Sequence, residues 1–132
     1  MFLERPFTEP INDRGQYELK TRLVYTTRGY KLIVPKSFIT DFASVPRWAW
    51  SIITPTGLHQ DAAIVHDYLY QYEGRPRTED VTLMELERPW PCRFTRRECD
   101  SIFYEAMIEL GVSRIKAFTM AKAVNIFGGL AW

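Results

Sequence analysis

An alternation of apolar and charged side chains on both sides of a short turn constrains the fold of this chain most. Between residues 17 and 26 apolar or small side chains alternate with charged ones, which is the period of a half-buried strand. A turn follows at Thr27-Arg28-Gly29, where glycine can adopt a positive φ. The alternation resumes over residues 30–34 and ends at Pro35. The pattern predicts two antiparallel strands joined as a hairpin.

Three later stretches carry helical patterns. The first runs from about residue 58 to residue 72. Thr95 and Glu98 have the spacing of a capping box, so a second helix should begin there and end near Gly111. Ser113 can cap a third helix, which stops before the glycine pair 128–129. We therefore expect an α+β fold in which a β-hairpin or small antiparallel sheet packs on about three α-helices.

The 132 residues have the length of a single domain, spanning 1–132. Two segments lack strong periodicity and are rich in proline: an irregular lead-in over residues 1–15 and an irregular insertion over residues 73–94. A short strand is expected within the insertion, between Val81 and Leu86. Residues 36–58 form a third irregular segment, whose apolar side chains indicate a packed loop.

Composition excludes several classes of protein. The formal net charge is +1, whereas a polyanion-binding domain is strongly basic, so no nucleic-acid partner is expected. No apolar stretch has the length of a membrane span, and the first residues lack the apolar core of a signal peptide. Cys92 and Cys99 do not form a CxxC pair, which argues against a cysteine zinc site.

The sharpest candidate site lies on the first helix. His59 and His66 are seven residues apart, which places them on one helix face, and Asp67 follows directly. His59, His66 and Asp67 are candidate ligands for a divalent metal such as zinc. Metal-free acid–base catalysis by His66 and Asp67, with Asp41 and Asp100, is equally possible in chemical terms. The alternative is that these side chains cap helices and satisfy backbone groups in a small polar core.

The segment Thr40–Arg47 is a second candidate. Asp41 and Ser44 can each close a turn by accepting backbone N–H groups, and Pro46 fixes the chain that follows. Asp41 can also serve as a site carboxylate. Ser44 lacks the neighbouring glycines that a nucleophilic elbow needs, so a structural turn is the favoured interpretation for Ser44 and Pro46.

Structural roles are also expected for several arginine and aromatic side chains. One of Arg93, Arg96 and Arg97 is expected to reach a carboxylate such as Asp67 or Asp100, because cations just before a helix start oppose the helix dipole. The tyrosines at 68, 70 and 72 are expected in an aromatic core rather than in a ligand groove with Trp48 and Trp50.

Several motifs occur in a fixed order along the chain. They are Asp41-Phe42-Ala43-Ser44-Val45-Pro46-Arg47, His66-Asp67-Tyr68-Leu69-Tyr70, Thr95-Arg96 with Cys99-Asp100, and Gly128-Gly129 with Trp132. In these motifs the chain, from about residue 30 onwards, resembles the domain of unknown function 1353 family of phage and prophage genomes. The resemblance implies a phage setting and brings no established activity with it.

Three functions are compatible with these features, and a soluble inhibitor of a host protein is the one with the least support. The first is a virion component in the tail, neck or baseplate, with other virion proteins or a second copy of the chain as partners. The second is a hydrolase outside the particle, metal-dependent or acid–base, acting on cell-wall peptide or glycan or on a phosphoester. The chain would accordingly lie in the virion or in the host cytoplasm.

An interface is predicted in the two irregular segments. Their apolar residues bury little unless something covers them, and we expect a neighbouring chain to do so. Trp90 is the expected anchor, because the prolines on either side stiffen its loop. The other residues expected to be exposed are Phe2, Leu3, Phe7 and Phe94.

Overall fold

The computed structural model describes residues 1–12, 16–40, 48, 59–127 and 132. Within them lie seven strands and three helices. The strands are β1 (Phe2–Glu4), β2 (Thr8–Pro10), β3 (Tyr17–Leu19), β4 (Leu23–Thr27), β5 (Tyr30–Val34), β6 (Ile39–Thr40) and β7 (Val81–Leu83). The helices are α1 (Gln60–Gln71), α2 (Arg96–Glu109) and α3 (Arg114–Phe127). The α+β class is confirmed.

The strands form two antiparallel sheets. One has four strands in the order β1-β4-β5-β7, and the other has three in the order β2-β3-β6. The predicted hairpin is β4–β5, with Leu23 opposite Val34 and Thr27 opposite Tyr30. Its two turn residues have φ angles of 50° at Arg28 and 82° at Gly29, as expected for a type I′ turn.

The single strand predicted over residues 17–26 is wrong, because the chain changes sheets in its middle. β3 belongs to the three-stranded sheet and β4 to the four-stranded sheet. Between them, Thr21 is exposed and its hydroxyl accepts a hydrogen bond from the Phe7 backbone N–H at 2.8 Å. The alternation alone does not reveal this bend, because the apolar period continues across it.

The lead-in is also more regular than predicted. β1 pairs with β4 and β2 pairs with β3, so the chain itself orders these residues. Arg22 reinforces the first pairing with two hydrogen bonds of 2.9 Å to the Glu4 carboxylate. The prediction that a neighbouring chain must hold the lead-in is therefore wrong for residues 1–10.

The insertion contains the predicted strand, β7, which pairs with β5. Phe94 was expected to be exposed, and this is wrong: only 2% of its surface is accessible, and its ring packs edge-on against Tyr30. Trp90 is 49% exposed, in agreement with expectation. Arg77, at the start of a 3-10 turn over Thr78–Asp80, donates a 2.7 Å hydrogen bond to Asp80.

The helix ends follow the sequence signals closely. Thr95 and Glu98 form the complete capping box at the start of α2. Gly111 follows its end with a φ of 95°, the left-handed conformation that favours glycine. The Ser113 hydroxyl accepts the Lys116 backbone N–H at 3.3 Å at the start of α3. No helix in the described ranges is long and apolar enough to span a membrane.

The central element is α1, in which every residue from Asp61 to Tyr70 is buried. One apolar cluster joins both sheets to all three helices. Tyr68 and Tyr70 lie inside it, which confirms the aromatic-core interpretation for these two side chains. Because residues 61–70 of α1 are all buried, each polar side chain among them must find its hydrogen-bond partner inside the protein.

Candidate functional site

His66 lies at the centre of the buried helix α1. Its side chain has no accessible surface. The imidazole packs against two aromatic rings, with centroid distances of 4.1 Å to Tyr70 and 4.7 Å to Phe103. Tyr70 is four residues further along α1 and Phe103 comes from α2. The ring is therefore held in place by aromatic contacts from two helices.

Asp100, on α2, is the hydrogen-bond partner of this imidazole. The distance from His66 Nε2 to Asp100 Oδ1 is 2.8 Å. Burial lowers the pKa of His66 and outweighs the carboxylates of Asp100 and Asp67, which raise it. The imidazole is therefore neutral near pH 7, and its Nε2–H donates to the Asp100 carboxylate. The contact is a charge-assisted hydrogen bond rather than an ion pair.

Two further side chains donate to Asp100. The Tyr70 hydroxyl donates to Oδ1 at 2.6 Å, and the Asn125 amide of α3 lies 3.5 Å from Oδ2. Burial, followed by the hydrogen bond to Asp100, raises the pKa of Tyr70. Asp100 thus accepts hydrogen bonds from side chains of α1 and α3 while it lies on α2 itself.

Arg96 extends this network. Its Nε donates to the Tyr70 hydroxyl at 3.2 Å, and its Nη2 donates to the backbone carbonyls of Val124 and Asn125 at 3.0 Å and 2.6 Å. These carbonyls lie in the last turn of α3, where a cation is favourable. The expectation that an arginine before this helix reaches a carboxylate such as Asp67 or Asp100 is corrected for Arg96, which is separated from Asp100 by the Tyr70 hydroxyl. We call His66, Tyr70, Arg96, Asp100 and Asn125 the helix-junction network.

Asp67 has a separate set of partners. Its carboxylate accepts hydrogen bonds from the Thr40 hydroxyl at 2.5 Å and from the Gln71 amide at 3.2 Å. Thr40 ends β6, so Asp67 ties α1 to the three-stranded sheet. Adjacent residues on a helix point about 100° apart, which is why His66 faces α2 while Asp67 faces the sheet.

The predicted metal set is not formed. His59 directly precedes α1 and is buried, and burial lowers its pKa. Among the residues that the structure describes, no group of three or more His, Cys, Asp or Glu side chains is placed to hold a metal ion. His59, His66 and Asp67 all belong to that part of the chain, so their assignment as a three-ligand zinc site is corrected. Two turns of helix separate the histidines, whereas zinc ligands lie about 2 Å from the ion.

Part of the second candidate lies outside the described residues, namely Asp41, Ser44 and Pro46. The same holds for Trp50 and for the glycine pair 128–129. Thr40 is described at the edge of that segment, where it binds Asp67. The predicted roles of Asp41, Ser44 and Pro46 therefore stay predictions.

A cleft of about 410 Å³ lies between α2 and α3, and Asp100 and Asn125 form part of its wall. Asp100 is therefore the buried residue of the helix-junction network that borders the cleft. His66 is fully buried and does not line the cleft. A ligand in the cleft would contact the Asp100 side chain and not the His66 imidazole.

Sequence reasoning placed His66 and Asp100 in one site and missed two of their partners. Tyr70 is four residues after His66 on the same helix face, so spacing alone was sufficient to find it. Asn125 is 25 residues from Asp100, and only the packing of α3 on α2 brings them together. No local sequence signal marks that asparagine.

Comparison with protein-family models decides the family. A model described as "Protein of unknown function (DUF1353)" matches residues 17–124, which is most of the chain. The chain belongs to the DUF1353 family. The match begins at β3 and ends within α3, so the DUF1353 region includes His66 and Asp100 and leaves β1 and β2 outside. Comparisons with curated proteins and with solved structures find no match.

Proposed function

We propose that this DUF1353 protein is a structural component of a bacteriophage particle, in the tail, neck or baseplate. The observation that carries the proposal is a set of large apolar side chains exposed on a firmly held loop. The phage setting that the family resemblance implies supports the same function. A particle component needs a stable fold and an exposed docking surface. Features of the described residues support both requirements.

The loop over residues 84–91, which we call the docking loop, is exposed along its whole length. Its apolar residues include Leu86, which is 92% exposed, and Trp90, which is 49% exposed. Large aromatic side chains contribute most of the binding energy in typical protein interfaces. An exposed tryptophan in the same loop as a nearly fully exposed leucine is therefore a suitable anchor for a partner protein.

The docking loop is held at both ends by the β4–β5 hairpin. The Gly29 carbonyl accepts the backbone N–H of Met84 at 2.8 Å, and the Tyr30 hydroxyl donates to the Pro89 carbonyl. Arg88 packs so closely over the turn that a Cβ at Gly29 would lie 2.7 Å from its Cγ. A loop that is already ordered loses little conformational entropy on binding, which favours docking.

The helix-junction network also favours a structural function. Its polar groups bind one another and tie three helices together, while His66 is enclosed. A catalytic histidine needs one ring nitrogen in reach of a substrate. The full burial of His66 fits a support for the fold better than a catalytic base.

The test is whether purified particles contain the protein and whether the docking loop holds it there. We expect mass spectrometry of gradient-purified particles to detect it in fixed proportion to the major tail proteins. In particles complemented with Trp90→Ala, the amount should fall about tenfold, which corresponds to the roughly 1–2 kcal/mol of a moderate interface residue. The isolated variant should unfold within about 1 kcal/mol of the unmodified protein, because Trp90 is half exposed.

Phe94→Ala is the matched control, because Phe94 is an aromatic residue of the same segment that lies in the core. It should lower the free energy of unfolding by about 3–5 kcal/mol. Particles that lack the protein would contradict the proposal. So would a Trp90→Ala variant that is incorporated normally but unfolds as readily as Phe94→Ala.

A hydrolase is the second candidate, and the position of Asp100 on the cleft wall favours it. In this alternative Asp100 acts as a general base on a cell-wall peptide, a glycan or a phosphoester, and His66 positions it. Turnover that Asp100→Asn abolishes and Glu105→Gln retains would support this candidate. Absence of turnover by the unmodified protein on all three substrate classes would contradict it.

A further inference from the structure

Among the described residues, four charged side chains line the cleft between α2 and α3, two acidic and two basic. The acidic residues are Asp100 and Glu105 on α2, and the basic residues are Arg97 on α2 and Lys122 on α3. Ser101 and Asn125 add a hydroxyl and an amide to the wall. The electrostatic character of the cleft depends on which of these charges are already balanced by other groups.

Both acidic residues are engaged inside the protein. Asp100 accepts hydrogen bonds from His66 and Tyr70, at 2.8 Å and 2.6 Å, and Tyr70 in turn binds Arg96. The Glu105 carboxylate pairs with Arg28 of the β4–β5 turn at 2.9 Å. Arg28 therefore balances the Glu105 carboxylate directly, whereas Asp100 is bound by neutral donors and the nearest cation in its network, Arg96, lies behind Tyr70.

The two basic residues are not balanced in this way. Among the described residues, neither Arg97 nor Lys122 forms an ion pair with an acidic group. The Lys122 ammonium lies 5.4 Å from the centroid of the Phe118 ring, at the apolar part of the cleft. Two positive charges thus remain at the cleft, beside an aromatic ring that is more than half exposed.

We propose that this cleft binds a small phosphate monoester that carries a flat ring. A phosphate monoester has close to two negative charges at neutral pH, which matches the two unbalanced cations. Arginine binds phosphate through a planar fork of N–H donors, and lysine supplies a point charge beside it. The Phe118 ring and Tyr104 offer apolar surface for the flat ring. This binding site is independent of the docking loop and of a place in the particle.

The test is an NMR titration of the full chain, labelled with ¹⁵N, at low salt. The probes are adenosine 5′-monophosphate, adenosine and inorganic phosphate. We expect the monophosphate to shift the backbone signals of Ser101 and Lys122 and to bind more tightly than either of its halves. Arg97→Gln and Lys122→Gln should each weaken it about tenfold, the usual effect of losing one charge-assisted hydrogen bond.

Lys116→Gln is the matched control, because Lys116 is an exposed lysine of α3 that does not line the cleft. It should change the affinity less than about twofold. Three results would overturn the proposal: no signal shifts up to about 10 mM monophosphate, adenosine or phosphate binding as tightly as the monophosphate, or Lys116→Gln weakening binding as much as Lys122→Gln.

Discussion

Replacing Asp100 with alanine tests whether the helix-junction network stabilises the fold. The substitution removes the acceptor of two donors that are almost completely buried, the His66 Nε2–H and the Tyr70 hydroxyl. A buried donor left without an acceptor costs about 1–3 kcal/mol. We therefore expect Asp100→Ala to lower the free energy of unfolding by about 4 kcal/mol, a large share of the roughly 5–15 kcal/mol of a typical domain.

The assay is urea unfolding followed by circular dichroism at pH 7. Glu105→Ala is the matched control, because it removes a carboxylate from the same helix whose ion pair with Arg28 is half exposed. It should cost less than about 1 kcal/mol. Tyr70→Phe removes one of the two donors that Asp100→Ala leaves without an acceptor. The double variant should therefore lose less free energy of unfolding than the sum of the losses of the two single variants. A loss in Asp100→Ala no larger than in Glu105→Ala would refute the reasoning.

Two further predictions concern glycine and cysteine positions. Gly74→Ala should destabilise the protein by more than about 2 kcal/mol beyond Gly111→Ala. Both glycines have a positive φ, but of the two only Gly74 would bring a Cβ against a backbone atom, the Phe94 carbonyl oxygen at 1.9 Å. Equal losses of stability in thermal unfolding would contradict this prediction. Burial raises the pKa of the Cys92 thiol to about 12 and also raises that of Cys99. Neither thiol should react with a disulfide reagent at pH 8 until the chain is unfolded, and rapid reaction of the folded protein would contradict the burial.

Features set by neighbouring residues were predictable from the sequence. The β4–β5 turn needs a positive φ at its second residue, and Gly29 adopts it without steric cost, whereas the positive φ of Arg28 had no sequence signal. The capping box of α2 is a four-residue signal that requires no knowledge of the rest of the fold. The three helices and the α+β class follow from such local signals, because each depends on side chains within one or two turns.

Features set by distant packing were not predictable. The change of sheets between β3 and β4 depends on where Phe7 and Phe38 approach the chain, and the alternating pattern continues across it. Phe94 lies in a segment without periodicity, so its burial against Tyr30 had no local signature. The site was predicted only in part, because it too depends on distant packing. Spacing grouped His66 with Asp67, but the packing of α2 on α1 decides that His66 binds Asp100.

The most direct test of the account is the protonation of His66 in the folded protein, measured by ¹⁵N NMR across pH 5–8. Burial outweighs the attraction of Asp100, so the imidazole should be the neutral Nε2–H tautomer with a pKa below the 6.5 of an exposed histidine. Asp100→Asn should lower that pKa further, because the carboxylate raises it.

The unfolded chain binds a proton at His66 near pH 6.5 and the folded chain does not. Stability should therefore fall by up to about 1.4 kcal/mol per pH unit as the pH drops below 6.5, and this loss stops at the lower pKa of the folded state. A His66 that titrates at or above 6.5, or that carries its proton on Nδ1 at pH 7, would contradict the account. The neutral Nε2–H form with a lowered pKa is the result that the account predicts.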